Sequence, residues 1–171
     1  ALGADATFVA RTMDRDPKHL QAMLIRTNQH KGASFLEIYQ NCNVFNDGAF
    51  AVFTDKNTKA TETLFLENGQ PLLFGANNEK GIALDGLIPI IVDAEKHGKN
   101  NLWVHDESDL TKANMLVRMF NKPIYGEDFP RPFGVFYATS RPCYEDQMAA
   151  QIATAKSVRG EGDLDAIISG K

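Results

Sequence analysis

The chain has 171 residues, 43% hydrophobic and 23% charged, with 18 Lys and Arg against 22 Asp and Glu for a formal net charge of −4. That length suits one domain with a sizeable core. Basic residues are interleaved with acidic ones, and no basic block is present to neutralise phosphates, so nucleic acid is excluded as the main partner.

The longest apolar runs, such as Leu87 to Val92, are too short to cross a bilayer, so no membrane partner is expected. No segment combines a basic start, an apolar middle and a small-residue cleavage site. Two cysteines, Cys42 and Cys143, make no disulfide framework. The expectation is a cytoplasmic protein whose thiols are free or metal-bound. Ala1 is not an initiator methionine, which fits a piece cut from a longer polypeptide.

Thr7 to Ala10 reads as a short buried strand. Asp16-Pro17 predicts a helix start, with Asp16 as N-cap and Pro17 in the first turn. Leu20, Met23, Leu24 and Thr27 recur at helical spacing and predict one face laid on a sheet. Arg26, His30 and Lys31 suit the negative end of the helix dipole, and Gly32 suits the residue just past it. Ser34 to Tyr39 then predicts a buried strand. Strand, helix and strand with short joints form a βαβ unit with parallel strands.

Phe50 to Phe53 and Thr61 to Leu66 predict a β-hairpin around the polar stretch Asp55 to Lys59. Asn68 to Pro71 is a turn before the apolar Leu72 to Phe74. Ile82 to Leu84 lies between glycines, and Leu87 to Val92, interrupted by Pro89, reads as an edge strand. Lys96 to Asn101 is read as a polar loop and Leu102 to His105 as a strand. Ala113, Leu116, Val117 and Phe120 predict a helix opened near Ser108 or Asp109 and ended by Pro123. Phe129 to Phe133 is read as an extended loop and Gly134 to Tyr137 as a short strand. A last helix opened by Ser140-Arg141-Pro142 carries Met148, Ile152 and Ala155 on one face and breaks at Arg159 to Gly162.

Cys42 is the sharpest candidate. It follows a strand in a polar turn, Gln40 to Asn43, at the edge where α/β sheets place ligands. A lone cysteine is more often a small core hydrophobe than a ligand or nucleophile, and without a CxxC this chain cannot enclose a metal by thiolates alone. Cys143, near the start of the last helix, is read as packing, although the helix dipole could lower its pKa. His30 belongs at the start of the second strand, a strand length from Cys42, which counts against a thiol–histidine catalytic pair. His105 also lies near a structural joint, whereas His19 and His97 read as surface residues. Asp106, Glu107 and Asp109 read as a solvated helix N-terminus. With Glu127 and Asp128 they show no hard-metal loop. Gly75 to Gly86 contains no phosphate-loop motif. Phe129 and Phe133 read as packing anchors.

His30-Lys31-Gly32, Phe35 to Ile38 and Cys42-Asn43-Val44-Phe45-Asn46 together resemble the β subunit of 2-oxoacid:ferredoxin oxidoreductases, nearest the 2-oxoglutarate type. The likeness takes in Gly3 to Arg11, Arg131 to Val135 and Arg141 to Asp146, and the stretch from Asp55 to Asn101 is the least distinctive. The resemblance implies an α/β fold, part of a thiamine-diphosphate-binding (transketolase-like) fold with parallel strands and flanking helices, plus a C-terminal β-hairpin/helix extension. It makes residues 1–54 the C-terminal portion of the thiamine-diphosphate-binding domain and 55–171 a family-specific C-terminal region.

The implied enzyme oxidatively decarboxylates a 2-oxo acid, with 2-oxoglutarate as the expected one, to acyl-CoA and CO2. It uses thiamine diphosphate, Mg2+ and a [4Fe-4S] cluster, with coenzyme A, ferredoxin and an α subunit of the same enzyme as partners. The family's GDG diphosphate-binding motif and paired N-terminal cluster cysteines are absent from this chain. The piece alone is therefore expected to bind no cofactor and to carry no catalytic residue. What transfers is Cys42, matching the lone downstream cysteine that gives a fourth thiolate to the cluster, although Asn41 stands where many members have proline. Asn43 and Asn46 are then candidate hydrogen-bond donors near it. The alternatives are a catalytically inert folded module or subunit-interaction fragment, and a small cysteine-dependent α/β enzyme.

Overall fold

The computed structural model describes residues 1–119 and 128–170; Phe120, Pro123 and Glu127 lie outside the described residues. In chain order the elements are β1 (Phe8–Met13), α1 (Pro17–Gln29), β2 (Ser34–Tyr39), α2 (Lys59–Glu62), β3 (Thr63–Phe65), β4 (Leu73–Phe74), β5 (Lys80–Asp85) and β6 (Ile88–Asp93). There follow α3 (Ala94–His97), α4 (Leu110–Leu116), β7 (Arg131–Ala138), α5 (Tyr144–Arg159) and α6 (Leu164–Ser169).

The βαβ unit forms as its sequence predicts. The Asp16 side chain accepts the His19 N–H at 3.2 Å, Pro17 occupies the first turn, and β1 and β2 pair in parallel from Phe8 opposite Ser34 to Met13 opposite Tyr39. A four-stranded sheet of order β2-β1-β7-β3 grows from it. The sheet is mixed, because β7 runs antiparallel to β1 and parallel to β3. Every residue of β1 is buried, as a strand covered on both faces requires. One face packs Phe8, Ala10 and Val135 against Met23 of α1. The other joins Val9, Leu64 and Phe136 to Trp103, Leu116 and Met119.

Several expectations change. β2 is not buried: it ends the sheet, and Phe35 and Ile38 remain exposed. Likewise Leu24 of α1 is exposed, so the helix seats a narrower face than its spacing implies. The hairpin of Phe50 to Phe53 with Thr61 to Leu66 does not form. Ala51–Phe53 is a 3-10 turn, and β3 pairs with β7 instead. Local alternation cannot distinguish a strand partner nearby from one nearly seventy residues on.

The extended loop predicted from Phe129 to Phe133 becomes the start of central strand β7. Pro132 is tolerated because it lies near the strand's beginning, outside the β1 pairing, which spans Gly134 to Ala138 of β7. Gly134 has φ +125°, and a Cβ there would come 2.8 Å from the Leu66 carbonyl oxygen. Glycine at this position lets β3 and β7 approach each other.

β4, β5 and β6 make a second, antiparallel sheet, with Pro89 on edge strand β6 as predicted. Leu102 to His105 is not a strand but a threaded segment. Trp103 N–H donates to Ile82 O at 2.8 Å, Leu72 N–H donates to Trp103 O at 2.9 Å, and a single bridge joins Pro71 to Val104. Lys96 to Asn101 is less irregular than predicted, since it contains the end of α3 and a 3-10 turn. Asp109 caps α4, accepting the Lys112 N–H. α5 buries no residue: Met148 and Ile152 are exposed, contrary to the face expected of them. Past the break at Arg159 to Gly162 the chain forms a further helix, α6.

Candidate functional site

β2 carries the chain to the C-terminal edge of the parallel pair and ends at Tyr39. The loop that follows holds Cys42, half-buried, at its first turn. Asn46 N–H donates to the Cys42 carbonyl at 3.0 Å, and the two residues form an isolated antiparallel bridge. Hydrogen bonds from the N–H groups of Phe45, Val44 and Asn46 hold the Cys42 thiol below its ordinary range, against a smaller opposing effect of desolvation.

Asn41 fixes the turn from its own side chain. Its Nδ2 donates to Asn43 Oδ1 at 2.7 Å and to Asp47 Oδ1 at 2.9 Å, while its Oδ1 accepts Gly48 N–H at 2.8 Å. The donors at the sulfur are thus backbone groups, and the Asn43 amide oxygen is turned to Asn41. Val44 and Phe45, 80% and 90% exposed, flank the cysteine with apolar side chains in solvent. Beside the loop is a cavity of about 170 Å³ lined by Asp14, Arg15, Asn41, Asp47 and Phe50 among others.

The base of the loop rests on a cluster of rings and guanidinium groups that sequence reasoning missed. Tyr39 stacks on Phe50, centroids 4.4 Å apart and planes at 23°, and meets Phe133 edge-on at 5.5 Å. Arg131 Nη1 donates to the Tyr39 hydroxyl at 2.6 Å, and its guanidinium lies 5.2 Å from the Phe53 ring centre. Buried Arg11 lies 5.3 Å from the Tyr39 ring centre, pairs with Glu37 at 2.6 Å and donates to the Pro132 carbonyl at 3.2 Å. Buried Arg11 is thus hydrogen-bonded and paired, as a buried cation must be. An arginine within a buried apolar strand is the signal that could have pointed here.

The other candidates lie apart from Cys42. His30 is hydrogen-bonded to Thr7 Oγ1 at 2.8 Å, just ahead of β1 and β2 and at the opposite end of the pair from Cys42. His105 is fully buried, and its Nε2 lies 2.8 Å from the Val135 carbonyl, which fixes the proton on that nitrogen. Burial holds this imidazole below its ordinary value. His19, read as a surface residue, is partly buried and hydrogen-bonded through Nδ1 to Thr12 at 2.7 Å.

Cys143 is the N-cap residue of α5, but its thiol donates to Asp146 Oδ2 at 3.0 Å and that carboxylate pushes its pKa up. The proposed lowering by the dipole is overturned, and so is a packed position, since the residue is only half-buried. Glu107 is not solvated either: it is buried and forms a two-pronged pair with Arg26, at 2.8 and 2.6 Å. Asp106 instead makes a local turn with Ser108, and Asp109 is a helix cap.

Among the described residues no group of three or more His, Cys, Asp or Glu is placed to hold a metal ion. Cys42 therefore fits one kind of metal role, as a single thiolate of a shared centre. Its half-buried sulfur could add one thiolate to a group whose other ligands come from elsewhere.

No protein-family model matches the chain. Among curated proteins it is similar to 2-oxoglutarate oxidoreductase subunit KorB of Mycobacterium tuberculosis (strain ATCC 25618 / H37Rv). The two are 30% identical over 175 aligned positions, covering 100% of this chain and 46% of that protein. That similarity runs over the whole length of this chain. It spans about half the length of this KorB relative. A solved structure, 2-oxoglutarate:ferredoxin oxidoreductase from Magnetococcus marinus with 2-oxoglutarate, coenzyme A and succinyl-CoA bound, shares the fold. That match has a TM-score of 0.56 at 21% identity, over 98% of this chain and 41% of the other. The mixed α/β sheet with flanking helices is thus the architecture of this oxidoreductase neighbour.

Proposed function

We propose that this chain is the C-terminal part of the β subunit of a 2-oxoacid:ferredoxin oxidoreductase, and that Cys42 gives one thiolate to a [4Fe-4S] cluster. The observation that carries the reading is the Cys42 turn at the C-terminal edge of the parallel pair, closed by Asn46 N–H on the Cys42 carbonyl and braced by the Asn41 side chain. N–H donors in such a turn stabilise thiolate over thiol and tune the potential of a cluster bound to it. The remaining thiolates come from outside the described residues, because the chain's other cysteine, Cys143, lies at the head of α5, bonded to Asp146. When bound, the cluster supplies one-electron transfer.

The complete enzyme converts a 2-oxo acid, 2-oxoglutarate by the relationship to KorB, to acyl-CoA and CO2, and ferredoxin takes the electrons. Thiamine diphosphate and Mg2+ sit on residues of the subunit beyond this chain, whose sequence has no GDG motif. Residues 1–54 complete the thiamine-diphosphate-binding domain, and residues 55–171 form a family-specific C-terminal region. The work of this chain is to hold the thiolate.

Anaerobic iron–sulfur reconstitution of the complete subunit, with and without Cys42→Ala, tests the reading. Loss of cluster absorbance and of the EPR signal in the variant is expected. A cluster that forms equally well without Cys42 would refute it and leave a structural half-subunit. Isothermal titration of the 171-residue chain with thiamine diphosphate and Mg2+ is expected to give no binding heat.

A further inference from the structure

From Gln40 to Ala49 no side chain is buried. Nothing inside the Cys42 loop anchors it to the core, and its shape depends on the Asn41 network and on how its two ends are held. The ends meet where Tyr39, the last residue of β2, stacks on Phe50, the first partly buried residue after the loop, at 4.4 Å. Closing a ten-residue loop in this way removes much of the freedom its backbone would otherwise keep.

Tyr39 is itself fixed from three sides. Arg131 holds its hydroxyl at 2.6 Å, Arg11 lies 5.3 Å from its ring centre, and Phe133 meets its edge at 5.5 Å. Phe53 extends the grip beyond the loop, 6.0 Å from Tyr39 and 5.8 Å from Phe133.

We propose that Tyr39 is a positioning residue whose ring, stacked on Phe50 and locked by Arg131, clamps the Cys42 loop, whose turn is closed by Asn46 N–H on the Cys42 carbonyl, so that the Val44, Phe45 and Asn46 N–H groups are kept beside the sulfur. The proposal rests on the cluster reading for its redox consequence and on geometry alone for the clamp. With the clamp open, the three N–H groups spend time away from the sulfur. Hydrogen bonds to a ligating sulfur favour the reduced, more negative cluster, so weakening them shifts its reduction potential downward.

The test uses the complete subunit carrying this chain, with two readouts. Hydrogen exchange by mass spectrometry on the cluster-free protein follows the peptide spanning residues 43–46. Tyr39→Ala is expected to speed its exchange about tenfold or more, as local opening dictates, while peptides from β5 and β6 stay as in wild type. Phe50→Leu breaks the stack from the other side and serves if Tyr39→Ala does not fold. Tyr39→Phe keeps the stack, loses only the Arg131 bond and is expected to fall between.

On the cluster-loaded protein, potentiometric titration is expected to move to more negative potential in the same order. Unchanged exchange in both Tyr39→Ala and Phe50→Leu overturns the clamp. Faster exchange at an unchanged potential overturns the positioning role. A wild-type protein that takes up no cluster sinks the cluster reading instead, and exchange alone then decides the clamp.

Discussion

At the scale of single residues, the chain's buried polar groups decide how it responds to change. Arg26 and Glu107 join α1 to the segment ahead of α4 across 81 residues of sequence, with the Glu107 side chain only 9% exposed and that of Arg26 42% exposed. Removing the arginine leaves a nearly buried carboxylate with one partner fewer. Arg26→Ala is therefore expected to cost about 1–3 kcal/mol, less than a fully buried pair because the arginine is partly solvated. The urea unfolding midpoint measures it.

His105 sets a pH dependence. Its Nε2 proton is held by the Val135 carbonyl and, among the described residues, its Nδ1 has no partner. Protonation would place a charge in the core that the Val135 carbonyl, Glu107 and Asp106 offset only in part, and burial, the largest effect, depresses its pKa below 6.5. Since the unfolded chain takes up this proton more readily, stability present above about pH 6.5 is lost as pH falls towards the depressed folded value. His19, also depressed by burial, adds to the same slope. Thermal unfolding from pH 7.5 to 5 is expected to show a falling melting temperature, and His105→Gln is expected to flatten part of the fall. An equal slope in the variant would remove this account.

At the scale of elements, the βαβ unit and the two ends of β7 make different demands. Asp16, Pro17 and the spacing of α1 place that helix from local chemistry alone. β7 depends on what surrounds it: a proline near its start, a glycine at φ +125° pressed on Leu66, and a register shift against β1 between Val9 and Ala10. Gly134→Ala forces a Cβ onto the Leu66 backbone in a conformation that L-residues avoid. A loss of about 1–3 kcal/mol is expected for the backbone strain alone, read from chemical denaturation.

The paired helices α5 and α6 stand at the other extreme. No residue of either is buried, so truncation after Cys143 is expected to change stability by less than about 0.5 kcal/mol. A larger loss in calorimetry would mean that the arm packs on the body. Their exposed Tyr144, Ile152, Leu164, Ile167 and Ile168 are more apolar than a solvated arm requires.

At the scale of the whole molecule, the sheet stops at β2 with Phe35 and Ile38 uncovered, while β1 beside it is buried throughout. A parallel edge of this kind fits a chain spanning 46% of the length of its relative KorB. Among the described residues no helix is long and apolar enough to cross a membrane.

The sequence by itself determined the local features: the Asp16 cap, the parallel pair β1 and β2, the edge strand with Pro89, the Asp109 cap and the turn that presents Cys42. Each follows from backbone chemistry within a few residues. It also carried the resemblance to the oxidoreductase subunits, and a curated relative is 30% identical over the whole chain. Tertiary structure alone decided that β3 pairs with β7, that Pro132 lies in a central strand, that Glu107 is buried on Arg26, and that Tyr39, Phe50 and Arg131 meet under the Cys42 loop. The reason is physical: burial and strand pairing join residues far apart in sequence, and no local periodicity records which distant surface will cover a given side chain.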